Sequence, residues 1–183
     1  MNLTKENILA LNPCREGLIF AESCNFVPVK IWNTCPRGDW MIWLLLQTQS
    51  LDKQTSVKLA CLCAEHVLSI YESKYPDDKR PRLAIKAAQA WADNPTDEKL
   101  ALVKLTADGA WKARRAACAD AAADNAAYAA AYAAYAAYAA AAAVDAVYAA
   151  AAVYAYAAVY AYAAERKWQA DKIRELIPCP FMI

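Results

Sequence analysis

Glycine is almost missing from this chain: Gly17, Gly38 and Gly109 are all it has. A fold dominated by sheet needs tight turns, and such turns draw heavily on glycine. The shortage therefore points away from β architecture. It also removes the dinucleotide-binding fingerprint, the phosphate-binding loop and the nucleophile elbow, each built on closely spaced glycines. Histidine is nearly absent too, since His66 is the single one. Lys and Arg vanish from 116 to 164, where Asp120, Asp124 and Asp145 are the only charged side chains. The overall balance is +1 with a pI near 7.5, which gives no reason to invoke nucleic acid or an acidic membrane surface. Met1 to Ala10 carries polar residues where the apolar core of a secretory signal would begin. Seven cysteines, at 14, 24, 35, 61, 63, 118 and 179, make an odd number, and the simplest reading is reduced thiols in a cytoplasmic protein.

What is present reads as helix. Prolines punctuate the first half at 13, 28, 36, 76, 81 and 95, then return only at 178 and 180. Thr4 suits the cap of a short helix through Leu11, and "EGLIFAESC" and "VPVKIWNTC" are brief helical candidates. Asp39 precedes "WMIWLLLQ" and is the expected cap of an apolar helix, with Trp40 and Trp43 sharing its buried face. Ser50 or Asp52 opens a longer helix that must end near Pro76. Pro81 fits a first helical turn, followed by Leu83, Ala84, Ala87, Ala88 and Trp91 at helical spacing. Thr96 caps "DEKLALVKLTA", whose Asp97 and Glu98 favour a helix start, and Gly109 marks the expected next break.

From Ala110 to Ile177 neither glycine nor proline interrupts the chain, and alanine leads every helix scale. One unbroken helix over that span would be about 100 Å long, against a radius of gyration of roughly 16 Å for a compact chain of this size. The tract must fold back, and Asp124-Asn125 and Asp145 are its expected corners, giving helices near 110–123, 126–143 and 145–175. Tyr128, Tyr132, Tyr135 and Tyr138 step by four, three and three and so form one stripe, expected to face the core. "VYAYAA" then occurs twice, which puts Tyr154 opposite Tyr156 and Tyr160 opposite Tyr162 on a helix. Such a segment has neighbours on two sides or offers tyrosine to a partner. A strand is disfavoured by the surrounding alanine. A membrane hairpin over 126–144 and 146–164 is long enough, yet it lacks Leu, Ile and Phe, and its tyrosines form no interfacial belts.

Motifs for chemistry are sparse. "CLCAEH" gathers Cys61, Cys63, Glu65 and His66, but Cys61 and Cys63 point opposite ways on a helix and no second ligand pair exists elsewhere. A Cys–His dyad through Cys14, Cys24, Cys35 or Cys118 is formally open. Arg80 and Arg82 stand at a helix start, where positive charge is unfavourable unless a carboxylate such as Asp39 or Glu65, or an anionic ligand, answers it. Arg114 and Arg115 sit at the opening of the alanine tract.

"RGDWMIWLL", then "RPRLAIKAAQAW" followed by "PTDEKL", the alanine–tyrosine tract and the closing "WQADKIRELIPCP" cover most of the chain in order. In these the chain resembles the immunity-five-like family of immunity proteins found in phages and bacteria. The resemblance implies an all-helical protein that neutralises a toxin by binding it.

The expectation is a single all-α domain over 1–183, a multi-helix bundle. Trp-, Leu- and Cys-rich helices fill 1–108, an alanine–tyrosine helical layer fills 109–177, and 178–183 is a tail. Its role is non-enzymatic and cytoplasmic: sequestration of a toxin or defence protein, with no catalytic residue, cofactor, metal, nucleic acid or membrane. The expected binding residues are Arg80, Arg82, Arg114, Arg115, Tyr154, Tyr156, Tyr160 and Tyr162. Two alternatives stand beside it. In one, the tyrosines stack on a nucleotide-like signal whose phosphates the arginines hold. In the other, the alanine–tyrosine face drives homo-oligomerisation.

Overall fold

The computed structural model of the protein describes residues 3–138, 149 and 162–181. Among them the fold is all-α, with helices α1 (Lys5–Ala10), α2 (Arg15–Ser23), α3 (Pro28–Thr34), α4 (Gly38–Gln47), α5 (Lys53–Lys74), α6 (Arg80–Asp93), α7 (Asp97–Ala117), α8 (Ala121–Tyr138) and α9 (Tyr162–Leu176), and no strand. They divide between two compact units: α1–α4 with α9 from Arg166 onward, and α5–α8.

Local chemistry explains most helix starts. Thr4 and Asn7 form a reciprocal capping box on α1, the Asp52 carboxylate accepts from the Thr55 amide at 2.8 Å, and Thr96 accepts from Lys99 at 3.3 Å. Pro81 lies in the first turn of α6. Asp39 departs from expectation. It sits inside the first turn of α4, with Arg37 at the cap position, because the Arg37 guanidinium takes both its carboxylate oxygens at 3.1 and 2.6 Å. Trp40 and Trp43 are half-buried rather than buried.

A chain so poor in glycine turns its corners without it. Asn12, Asn25, Phe26 and Gln49 adopt positive φ near 50°, and no glycine does. At the end of α2 the Phe26 amide donates to Ala21 and the Asn25 amide to Glu22. At the end of α4 Ser50 donates to Leu45 and Gln49 to Leu46. Both follow the Schellman pattern that usually employs glycine.

In the α1–α4 unit, glycine serves close approach instead. A Cβ on Gly38 would lie 2.6 Å from the Gln169 Cβ and 3.0 Å from the Ala170 nitrogen, so α4 and α9 meet nearly backbone to backbone. One turn on, Arg174 donates to the carbonyls of Cys35 at 2.8 Å and Trp32 at 3.2 Å, bracing the end of α3.

In the α5–α8 unit, α8 packs against α5, α6 and α7 alike. A helix with neighbours on three sides needs small side chains. Ala123, Ala126, Ala127, Ala129, Ala130, Ala131, Ala133, Ala134, Ala136 and Ala137 are accordingly all buried. Two expected breaks fail. α7 runs straight through Gly109, where the Arg80 side chain lies alongside and still leaves room for a Cβ at ordinary contact distance. α8 likewise runs through Asp124-Asn125. The corner falls earlier, at Cys118–Asp120, where the Asp120 carboxylate accepts from the amides of Ala122 and Ala123, each at 3.1 Å. Asp145 lies outside the described residues. On α6, Ala84, Ala87, Ala88 and Trp91 are buried as their spacing predicts, whereas Leu83 is exposed.

Candidate functional site

Trp111, on α7, is the centre of an aromatic cluster that α8 completes. The Trp111 ring meets Tyr128, Tyr132 and Tyr135 edge to face at centroid distances of 5.5, 5.7 and 5.9 Å. This arrangement matches the positive edge of one ring to the negative face of the next. Tyr128 and Tyr132 are 4.6 Å apart by centroid, and the Tyr128 hydroxyl donates to that of Tyr132 at 3.1 Å. Arg114 lies one turn beyond Trp111 on the same face. Its guanidinium is 4.1 Å from the Tyr128 ring centroid and 5.3 Å from that of Trp111, and its Nε donates to Asp124 at 3.1 Å. Asp124, expected to turn the chain, instead orients this arginine.

The tyrosine stripe is thus one face, but not the core face. Trp111 and the three tyrosines are half-buried while the alanines between them are fully buried. The side chain of Tyr138, the fourth of the stripe, lies outside the described residues. The Trp111 Nε1 is enclosed and has no hydrogen-bond partner among the described residues.

The other expected binding residues are placed apart from this cluster. Arg80 grips Asp78 through Nε at 2.9 Å and Nη2 at 2.6 Å, and the buried Tyr71 donates its hydroxyl to the same carboxylate at 2.6 Å. The Arg80 guanidinium and the Tyr71 hydroxyl hold the Asp78 carboxyl well below the usual carboxylate range. Arg82 makes a two-point pair with Glu72, near the end of α5, and depresses the Glu72 pKa in turn. The carboxylates that answer these arginines are therefore Asp78 and Glu72, not Asp39 or Glu65. Arg80 also runs along α7 at Gly109, five residues before Arg114 and about 140° round the helix from it. Arg115 is exposed on α7, and its charge adds to the Lys112 hydrogen bond that lowers the pKa of Asp108. Tyr154, Tyr156 and Tyr160 lie outside the described residues. Tyr162 opens α9, and its side chain is outside them as well.

"CLCAEH" lies on α5. The Cys61 thiol points to the Ile85 carbonyl at 3.8 Å, while Cys63 and His66 lie near Glu165, whose Oε2 is 3.0 Å from the His66 Nε2. Burial, with the Glu165 charge second, pushes the Cys63 thiol up to about 12, far from a nucleophilic thiolate. Among the described residues no group of three or more His, Cys, Asp or Glu is placed to hold a metal. None of their helices is long and apolar enough to cross a membrane.

The α5–α8 unit that carries the cluster lies wholly within the segment that carries the family relationship. The family model described as "Imm-5 like putative immunity protein" matches residues 46–176, more than two thirds of the chain. The chain belongs to this family. No curated protein and no solved structure matches it. The family segment contains the whole Trp111 cluster together with Arg80, Arg82, Arg114 and Arg115. It starts after the residues of α1–α3 and most of α4.

Sequence reasoning singled out Arg114 but passed over Trp111. The available signal was the i, i+3 spacing of the two, which puts an aromatic ring and a cation on one helical face. What could not be seen was that α8 would lay its tyrosine stripe on that face.

Proposed function

We propose that the protein is a non-enzymatic immunity protein that acts in the cytoplasm by binding and sequestering a toxin or defence protein. The docking face is the α7–α8 surface around Trp111. The observation that carries this reading is the composition and order of that surface. A tryptophan, three tyrosines and an arginine lie half-exposed together inside the family segment. Trp, Tyr and Arg are the residues that most often dominate interface energetics. Arg114 is already held by Asp124, and the Tyr128 and Tyr132 hydroxyls by each other, so a partner orders few side chains on binding. Tyr154, Tyr156, Tyr160 and Tyr162 are proposed as further contacts of the same partner.

Affinity capture from the native host tests it. Wild-type protein recovers a protein partner in stoichiometric amount, and a Tyr132→Ala/Tyr135→Ala variant with unchanged circular dichroism loses it. Retention of the partner by that variant counts against the face, and recovery of no protein counts against the function. A thermal-shift series with nucleotides and cyclic dinucleotides separates the nucleotide-ligand alternative. That alternative requires a rise in melting temperature abolished by Arg80→Ala/Arg82→Ala, although both arginines already hold carboxylates. Light scattering that reports a strict monomer at high concentration disposes of the assembly alternative.

A further inference from the structure

The α1–α4 unit contains a cavity of about 350 Å³, and every residue that lines it lies between Leu3 and Leu44. The family segment begins at residue 46, so the lining of the cavity lies entirely outside it and shares no residue with the proposed docking face. Its walls are aromatic on several sides: Phe20 from α2, Trp32 from α3, and Trp40 and Trp43 from α4. Phe20 and Trp40 lie with centroids 5.9 Å apart and planes at 43°. The site is pre-formed. Trp32 is fixed from behind by Phe181, edge to face at 5.7 Å, and its carbonyl is held by Arg174 at 3.2 Å. Phe20, Trp40 and Trp43 are half-buried, so their rings are reachable from solvent.

The lining holds two charged groups, Arg37 and Asp39, paired at 2.6 and 3.1 Å, and Asp39 also meets Arg166, which is not part of the lining, at 3.6 Å. The Arg37 guanidinium also lies 4.2 Å from the Trp40 ring centroid, so it forms part of the wall. Burial pushes the Cys35 thiol up to about 11, which leaves it uncharged at neutral pH, and it donates to the Arg37 carbonyl at 3.4 Å. A charged ligand would lose its hydration here and would have to compete with Asp39 for the Arg37 guanidinium, or with Arg37 and Arg166 for Asp39, a costly exchange. An uncharged ring system would meet ring faces and edges on several sides, with the Arg37–Asp39 pair available to one polar edge.

We propose that this cavity is a binding site for an uncharged aromatic small molecule of roughly two or three rings, a size suited to a pocket near the lower end of the usual range. The floor on α2 is made of small residues, Gly17 and Ala21. A Cβ placed on Gly17 would lie 4.0 Å from the Trp40 ring and 3.4 Å from the Cys14 sulfur, both ordinary contacts. A larger side chain at 17 would therefore fill the cavity.

The test uses two probes with one ring skeleton on the full chain. N-phenyl-1-naphthylamine is uncharged, and 1-anilinonaphthalene-8-sulfonate is its sulfonated counterpart. The expected result is saturable one-to-one binding of the amine, with the sulfonate at least tenfold weaker. The indole N–H signals of Trp40 and Trp43 shift on titration, and those of Trp91 and Trp111 stay in place. Gly17→Leu weakens the amine at least tenfold. The proposal is overturned by absence of saturable binding, by equal affinity for the two probes, or by shifts centred on Trp91 or Trp111. Should Gly17→Leu not fold, the signals of the wild-type chain decide alone.

Discussion

Two glycines on helices should respond to alanine with opposite signs. Gly38 is buried, and its added Cβ would stand 2.6 Å from the Gln169 Cβ, 3.0 Å from the Ala170 nitrogen and 3.1 Å from the Gln169 carbonyl carbon. Carbon atoms pack best at about 3.5–4.0 Å. The contacts involve backbone and a Cβ, which no rotamer change can move, so α4 and α9 must separate by on the order of 1 Å. Overpacking of this kind costs about 1–3 kcal/mol, and the immovable partners place Gly38→Ala near the top of that range. The gain in helix propensity at the first residue of α4 offsets only a few tenths of a kcal/mol. At Gly109 the nearest atoms are the Arg80 Cβ and Cγ, both at 3.7 Å, which is ordinary contact. Gly109→Ala in the interior of α7 should therefore stabilise by about 0.5–1 kcal/mol. Urea unfolding reads both. With an m-value of about 2 kcal/mol/M, a loss of about 2 kcal/mol lowers the midpoint by about 1 M. A Gly38→Ala midpoint at or above wild type, or a lowered one for Gly109→Ala, would refute the argument.

Other perturbations follow from named contacts. The Asp78 pKa is depressed by Arg80 and Tyr71, so its contribution is present above the ordinary carboxylate value and fades as pH falls toward the folded-state value. Asp78→Asn should lose about 1–2 kcal/mol at pH 7 after allowing for the partial exposure of the pair, and its gap to wild type should narrow between pH 5 and pH 2. Trp111→Ala removes three edge-to-face contacts and the surface under Arg114, and should cost about 2–4 kcal/mol by thermal or urea unfolding. Gln49→Gly relieves a left-handed residue at the end of α4 and should stabilise by about 0.5–1 kcal/mol. In a thiol-reagent time course on native protein, Cys14 and Cys118 should react first, and Cys24, Cys35, Cys61 and Cys63 only on unfolding.

The helix starts were legible because capping is local. Thr4, Asp52, Pro81 and Thr96 act on amides or φ angles within three residues, and each was visible at its position. Gly109 misled because a glycine can mark a break or simply sit within a helix, and the Arg80 side chain that packs alongside it comes from another helix. Asp124 misled for a similar reason. Its carboxylate serves Arg114 on α7, while the residue four places earlier makes the corner. Periodicity placed Tyr128, Tyr132 and Tyr135 on one face but could not say which way that face turns. Three neighbouring helices demanded the small alanines inward, which left the larger rings toward Trp111. Arg82 found Glu72 because α5 and α6 fold back on each other, a pairing that spacing alone does not reveal. The cavity walled by Phe20, Trp32, Trp40 and Trp43 is assembled from three short helices, and no single segment announces it.

The central claim is protection by sequestration through the Trp111 face. The most direct measurement co-expresses the captured host protein with this chain and follows growth. The partner alone arrests growth, wild-type chain restores it, and the folded Tyr132→Ala/Tyr135→Ala variant fails to restore it. Equal rescue by the variant would contradict the assigned face, and a partner harmless on its own would contradict the immunity role itself.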